Sequence, residues 1–550
     1  MAQQTAEADS NTGVRASVSA AWVALRYPVF RWLWIATVVS NVGTWMYNAA
    51  SGWLMTSLNP SPLIVSLVQV ANSLPLFLFA LPAGALADVI DKRRLILALE
   101  ILTLLFSALF ALLLTLHLVG PALLLFFIFL LGTFAAFETP AWYAIVPLLV
   151  PPEALSSAVA VNSVGINISR VVGPAVTGFI ILGLGIAAPF WLDAFSNAGV
   201  IAVLLMWRPP AATVSGLPAE RLGGALRTGV RYARYNRPLR ATLVRAIGFF
   251  LFASAYWALL PLVARNQLQG GPGLYGTLLA AIGAGAVGGA FLLPRARAHG
   301  GPDGVVMLGE AGTALALVLF GLAREGWVAV LACLLAGISW IGVLATLNVS
   351  AQTVLPDWVR GRGLAAYVTV FFGTMTVGSA LWGLVAEHLG LAPTHYLAGA
   401  GALLALWLTR RWKLQSGPAA DLTPSMHWPE PVLAAGVNED VGPVLVTVEY
   451  HVPAEHREAF LSAMGPLAHE RRRDGGYDWN LFQDSAHPER MIETWLVDSW
   501  LEHMRQHRRV TRADQALEER VGRFSREAPR ITHYVAARTG VMAHAPQAHR

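Results

Sequence analysis

Apolar runs long enough to cross a bilayer follow one another from about Ala21 to Trp412. A hydrocarbon core about 30 Å thick takes about 20 mostly apolar residues per helix. On that measure spans fall near 30–56, 63–87, 94–117, 121–145, 155–184 and 189–207. A second set falls near 240–264, 274–294, 304–323, 327–353, 364–388 and 393–410. Lipid offers the backbone no hydrogen bonds, so a spanning run must satisfy its own as a helix. The expected fold class is therefore all-α membrane, a twelve-helix bundle of two six-helix halves. Only 13% of the residues are charged, where soluble domains carry about a quarter.

The charges set the expected topology. Arg26, Arg31, Lys92, Arg93, Arg94, Arg208, Arg221, Arg227, Arg231, Arg234, Arg237, Arg240, Arg295, Arg297, Arg360, Arg362, Arg410, Arg411 and Lys413 all fall on one side of this count. Arg265 and Arg324 fall on the other. An excess of Lys and Arg marks the cytoplasmic side, so both termini are expected in the cytoplasm of a cell inner-membrane protein. Met1 to Arg15 are polar and do not read as a signal peptide. The net charge of +6 sits at the ends of apolar runs, not along one stripe, so no nucleic-acid partner is expected. Cys333 is the sole cysteine, which rules out a disulfide within the chain.

The expected organisation is a segment at 1–28, a membrane half at 29–207, a loop at 208–238, a second half at 239–411, a linker at 412–441, a domain at 442–540 and a tail at 541–550. Arg227, Arg231 and Arg234 in the central loop have helical spacing, as in an amphipathic helix on anionic lipid. The halves echo each other. Gly173-Pro174-Ala175-Val176-Thr177-Gly178 has the spacing of Gly378-Ser379-Ala380-Leu381-Trp382-Gly383. Repeated halves are what alternating-access transporters use, with the site between them. Chance glycine spacing is the competing explanation.

The string Gly84-Ala85-Leu86-Ala87-Asp88-Val89-Ile90-Asp91-Lys92-Arg93-Arg94 resembles the signature gating loop of the major facilitator superfamily. That family usually has Gly where Asp91 stands. Gly165, Gly173, Pro174 and Gly178 resemble its antiporter motif, which implies export. Phe137-Glu138-Thr139-Pro140-Ala141-Trp142, Asn162-Ser163-Val164-Gly165-Ile166-Asn167-Ile168-Ser169-Arg170 and His427-Trp428-Pro429-Glu430-Pro431 are similar to the enterobactin-exporter-like branch, the transmembrane secretion effectors. The resemblance covers about 20–435 and implies efflux of a drug, siderophore or other metabolite, coupled to protons.

Charge within a membrane costs about 2.5–3.5 kcal/mol at mid-span and needs a reason. Glu138 and Arg170 either pair with each other, or Arg170 faces an anionic substrate in the cavity while Glu138 serves structure or gating. Glu100 and Glu310 either carry a coupling proton or anchor loops. Asn41, Thr44, Trp45 and Asn48 share a helix face, as do Ser66, Gln69 and Ser73. Candidates for the substrate or proton pathway are Asn41, Trp45, Asn48, Gln69, Glu138, Asn167, Arg170, Tyr256 and Glu310. No phosphate-binding Gly-x-x-x-x-Gly-Lys-Ser/Thr string is present, and no cofactor is expected.

Beyond 441 strand and helix patterns alternate as β-α-β-β-α-β, which reads as a ferredoxin-like α+β domain. It resembles the antibiotic-biosynthesis monooxygenase type, which makes dimerisation through this domain a further expectation. Ser499 with Glu502 reads as a capping box. His503 and His507 share a helix face, but the sequence shows no third ligand, and no metal is expected. Two other function classes compete with transport: a membrane-tethered enzyme acting through the tail, and a sensor that binds a ligand without moving it.

Overall fold

The computed structural model describes residues 22–208, 222–415, 421–428 and 442–536. The expected N-terminal segment before 22, Arg221, the 429–431 part of the linker string and the 541–550 tail lie outside the described residues, as do the side chains of Asp88 and Arg227. Contacts divide the chain into two compact units. One takes in the described residues up to 208, with 242–349 and 367–414. The other joins 222–241 and 350–366 to the described residues from 415 on.

The membrane unit begins with α1 (Pro28–Leu58), α2 (Pro62–Val89), α3 (Lys92–Thr115), α4 (Pro121–Ile145), α5 (Leu155–Leu184) and α6 (Ala188–Met206). The breaks carry proline, glycine or a capping side chain. Proline opens α1, α2 and α4, where its missing N–H costs nothing. The Ser61 side chain accepts from the Ile64 N–H and that of Asp91 from the Arg94 N–H, each satisfying an orphan donor. After α7 (Leu222–Tyr235) come α8 (Arg237–Leu262), α9 (Pro272–Leu322), α10 (Gly326–Thr353), α11 (Arg360–Leu389) and α12 (Leu391–Thr409). The 51-residue α9 is two helices, broken where Gly301 takes φ 62° before Pro302. Ten helices among the described residues are long and apolar enough to cross a membrane, α9 counted once. The more polar, 31-residue α1 stands beside them.

Glycines set how the halves meet. A Cβ on Gly173 would lie 2.6 Å from Trp45 Cβ of α1, and one on Gly178 only 2.5 Å from the Pro272 carbonyl oxygen of α9. The second half repeats this. Gly378 abuts Ser254 of α8, and Gly383 abuts Ser66 of α2. The exchange α1 for α8, α2 for α9 and α5 for α11 carries one set of contacts onto the other. Even the turns match: Gly185 after α5 and Gly390 after α11 have φ of 87° and 83°. Only glycine holds such positive angles without strain.

The halves are packed tightly at one end. There Trp53 stacks on Tyr275 at 5.8 Å, Arg265 donates to the Thr56 hydroxyl at 3.0 Å, and the Ser61 hydroxyl donates to Glu387 at 2.7 Å. Midway, the Ser73 and Thr376 hydroxyls are 2.8 Å apart. Further along, α9 packs on α10 through Gly289, where a Cβ would lie 2.9 Å from Ile338 Cα, while Gly288 beside it is exposed.

The second unit holds β1 (Val444–His451), α13 (Arg457–Arg473), β2 (Tyr477–Gln483), β3 (Arg490–Val497), α14 (Trp500–Arg509), α15 (Arg512–Gly522) and β4 (Arg530–Val535). The sheet order is β2-β3-β1-β4, all antiparallel. Val444, Val446, Val448 and Tyr450 alternate into the core, where Phe460, Met464, Leu467, Trp495 and Trp500 meet them. Ser499 caps α14 as expected, but Glu502 turns its carboxylate to Arg505 and Arg509. The reciprocal capping box is at Thr511 and Asp514. The α7 helix has a protein partner: Tyr232 is buried, meeting Trp358 edge-on and lying under Arg473. The central basic helix therefore spends this face on the tail and not on lipid.

A buried charge cluster ties α8 to α9. Arg245 lies 3.1 Å from Asp303 and 3.6 Å from Glu310, and its Nε donates to the Trp412 carbonyl. Arg245→Ala strands two carboxylates. Removing one partner of a buried pair costs about 3–5 kcal/mol, so thermal unfolding in detergent is expected to show a markedly lowered midpoint. Asp357→Ala, which breaks an exposed pair with Arg360, should barely move it.

Candidate functional site

The first half encloses a polar cavity of about 270 Å³. Helices α1 to α6 all contribute. From α1 come Asn41, Thr44, Tyr47 and Asn48, from α2 Asn72, from α3 Glu100 and Thr103. The α4 helix gives Glu138, Thr139, Trp142 and Tyr143, α5 gives Ile166, and α6 gives Asp193 and Asn197. Amides and hydroxyls can donate and accept, so the wall suits a cargo of mixed polarity.

Three carboxyls line this cavity. Asp193 accepts from the Ser107 hydroxyl at 2.6 Å and is reached by the Thr44 hydroxyl. Its own carbonyl holds Asn197, whose amide oxygen accepts from Ser40 at 2.8 Å. Glu100 and Glu138 lie within side-chain hydrogen-bond reach of each other. An ionised carboxylate can only accept, so a bond between them requires a proton on at least one. Among the described residues no Arg, Lys or His comes within ion-pair distance of the three.

The candidates read from the sequence separate into groups. Asn41, Asn48 and Glu138 line the cavity. Glu138 meets Glu100, and the pairing considered for it with Arg170 is not formed. Arg170 instead lies 5.5 Å from the Trp45 ring, with its Nε buried and unbonded. Asn167 is exposed and donates to the Ser163 carbonyl. Gln69 is half-buried, its carbonyl accepting from Ser73. Tyr256 is buried away from the cavity wall, stacked on Phe320. Glu310 lies 3.6 Å from Arg245 in the buried charge cluster, away from the cavity wall. Asp193 was missed. The signal was present, a lone acid in an apolar run.

The gating string is partly visible. Gly84 lies in α2 with open space beside it, and Asp91 caps α3. Arg93 donates to the Leu204 and Leu205 carbonyls at the end of α6. Lys92 and Arg94 have no ion-pair partner among the described residues. Of the antiporter-like residues, Gly165 makes room for Trp34 and Val38, Gly173 for Trp45, and Gly178 for α9, while Pro174 is buried between them. In the tail, β4 carries His533 to His503 and His507. The third imidazole that spacing did not show is thus supplied by the fold.

A family model described as transmembrane secretion effector matches residues 19–540. The chain belongs to the transmembrane secretion effector family. It is accordingly a multi-pass membrane transporter of small molecules and not an enzyme. Two relatives of this effector are transporters by name. The Staphyloferrin A transporter of Staphylococcus aureus is 23% identical over 68% of this chain and 94% of its own. The enterobactin exporter EntS of Shigella boydii is 26% identical over 69% of this chain and 90% of its own. In fold, the effector is similar to a bacterial homologue of the iron transporter ferroportin in an inward-facing state. That match has a TM-score of 0.53 at 15% identity, covering 70% of this chain and 98% of the other.

Substitution separates the carboxyls. Glu138→Gln keeps a donor for Glu100 and should leave the unfolding midpoint near wild type. Asp193→Leu orphans the buried Ser107 hydroxyl, at a cost of about 1–3 kcal/mol. Thermal unfolding of both variants in the same detergent checks the contrast.

Proposed function

We propose that this chain is a secondary exporter that moves a siderophore or related small metabolite out of the cytoplasm by alternating access, in exchange for protons. The polar cavity with its three carboxyls is the observation that carries the reading. A Glu100–Glu138 pair that shares a proton gives an exchangeable proton directly on the cavity wall. Each proton entering down a membrane potential supplies about 2.3 kcal/mol per 100 mV. The relatives' cargoes favour a siderophore. Asn41, Asn48 and Asn72 would bond its polar groups, and Trp142 and Tyr143 its apolar parts.

In this reading α9 counts as two spans at its Gly301 break, which with α1 makes twelve. The basic residues put both termini in the cytoplasm of an inner-membrane protein, and the halves are closed on the outer side. Asp91, Lys92, Arg93 and Arg94 take the role of a gating latch with Gly84 and Asp88. Arg170 over Trp45 is the cationic group offered to an anionic cargo. The tail's β-α-β-β-α-β order and β2-β3-β1-β4 sheet support a ferredoxin-like domain.

Cys333 is the only cysteine, so Cys333→Ala gives a background for locking. In it, Ser73→Cys with Thr376→Cys should form a disulfide under mild oxidant. Export of a labelled siderophore from cells lacking their own exporter should stop on oxidation and return with reductant. Full export by the cross-linked form would end the alternating-access reading. For coupling, Glu100→Gln with Glu138→Gln should abolish proton-driven uptake into inverted vesicles while cargo binding persists.

A further inference from the structure

The histidine cluster of the tail has no part in the cavity. His503 and His507 stand one turn apart on α14, and β4 delivers His533 across to them. One ring nitrogen from each lies within 4.8 Å of the other two. The Nε2 atoms of His503 and His507 are 3.2 Å apart. Two nitrogens bound at about 2.0–2.1 Å to a tetrahedral ion stand about 3.3–3.4 Å from each other. The pair is thus already spaced as two ligands of one ion.

The surroundings are built for the same purpose. His503 is buried, and its Nδ1 lies 3.3 Å from the Gln506 side-chain oxygen. That oxygen only accepts, so the Nδ1 holds the proton and the Nε2 carries a lone pair, which here faces the His507 Nε2. An outer partner on the far ring nitrogen is how metal-binding histidines are oriented. Gln506 is fixed in turn, donating to the Asp474 carbonyl at 3.2 Å. His507 keeps a buried Nδ1 with no partner, and the Trp428 ring stands edge-on against it at 4.9 Å.

The second cluster of potential ligands in the tail behaves otherwise. Glu470, Asp474 and Asp514 lie together, but Arg473 bonds both aspartates and Arg471 lies 3.5 Å from Glu470. Those acids have their cations. The three imidazoles have none of their lone pairs spoken for by a charge.

We propose that His503, His507 and His533 bind one divalent first-row transition-metal ion of the zinc or ferrous class, leaving a coordination position for water or another ligand. Neutral imidazoles without a carboxylate in the set favour such borderline ions over magnesium or calcium.

The test uses the full-length protein in detergent, purified without a histidine tag and stripped with a chelator. Zinc is titrated against a chromophoric competitor, and cobalt is added separately for its visible d–d bands. One equivalent of tight zinc and a tetrahedral cobalt spectrum are expected. His533→Ala sits on the rim and spares the core. It should weaken zinc by more than the roughly 10–100-fold that loss of an outer partner costs, and it should abolish the cobalt bands. Gln506→Leu should weaken zinc within that range. His469→Ala, on the exposed side of α13, should change nothing. Absence of stoichiometric zinc, or wild-type affinity in His533→Ala with unchanged circular dichroism, overturns the assignment.

Discussion

The structure depends on backbones touching where glycines let them. Helices in lipid gain no hydrophobic drive from association, so close packing has to supply the attraction. Gly178 and Gly276 bring α5 against α9, and Gly383 brings α11 against α2. These two crossings join the halves, while Gly173 and Gly378 fasten the same helices within their own half. Each bridging helix thus belongs to one half through one glycine and reaches the other through a second, five residues on. That arrangement allows the halves to tilt about the crossings without losing their internal packing.

The halves share a scaffold but neutralise their buried acids differently. In the second half Arg245 serves both Asp303 and Glu310, and the chain's own backbone at Trp412 and Leu414 completes the shell. The charges are paired within the cluster, although Arg245 Nη1 and both Glu310 oxygens make no hydrogen bond. In the first half Glu100 and Glu138 have each other, and Asp193 has only hydroxyls. Among the described residues, no cation neutralises these three carboxyls. In the proposed function, that asymmetry puts the proton exchange in the first half.

The tail is held by a third solution. Arg471 is sandwiched between the Trp428 and Trp495 rings, 5.1 and 4.6 Å from their centres, and bonds Glu493 and Glu518. The cation holds the Glu518 carboxyl well below its usual range, helped by donors from His427 and Trp428. A carboxyl held low stabilises the folded state above its ordinary titration range and loses that effect as pH falls toward the lowered value. This network fastens the 421–428 segment to the domain, together with backbone hydrogen bonds from Ser425 to Val510, Arg512 to Thr423 and Ala513 to Asp421.

How much of this was legible follows from the range of each interaction. Apolar length and glycine spacing are local, and both were visible: the Gly173–Gly178 and Gly378–Gly383 strings read as a repeat and pack as one. The alternation of Val444, Val446, Val448 and Tyr450 was equally plain. Partnerships across distant helices were not. Glu310 looks like Glu100 in sequence, and only the arrival of Arg245 from another helix puts one in a charge cluster and leaves the other on a cavity. His533 sits in an ordinary strand, 26 residues beyond His507. Its nearness to α14 comes from the order β3-β1-β4, which places the last strand beside the first. Asp193 differs from these, because one acid in an apolar run is itself the signal. It was passed over because nothing adjacent in the chain pairs with it, and that same lack of a charged partner gives it a place on the cavity wall.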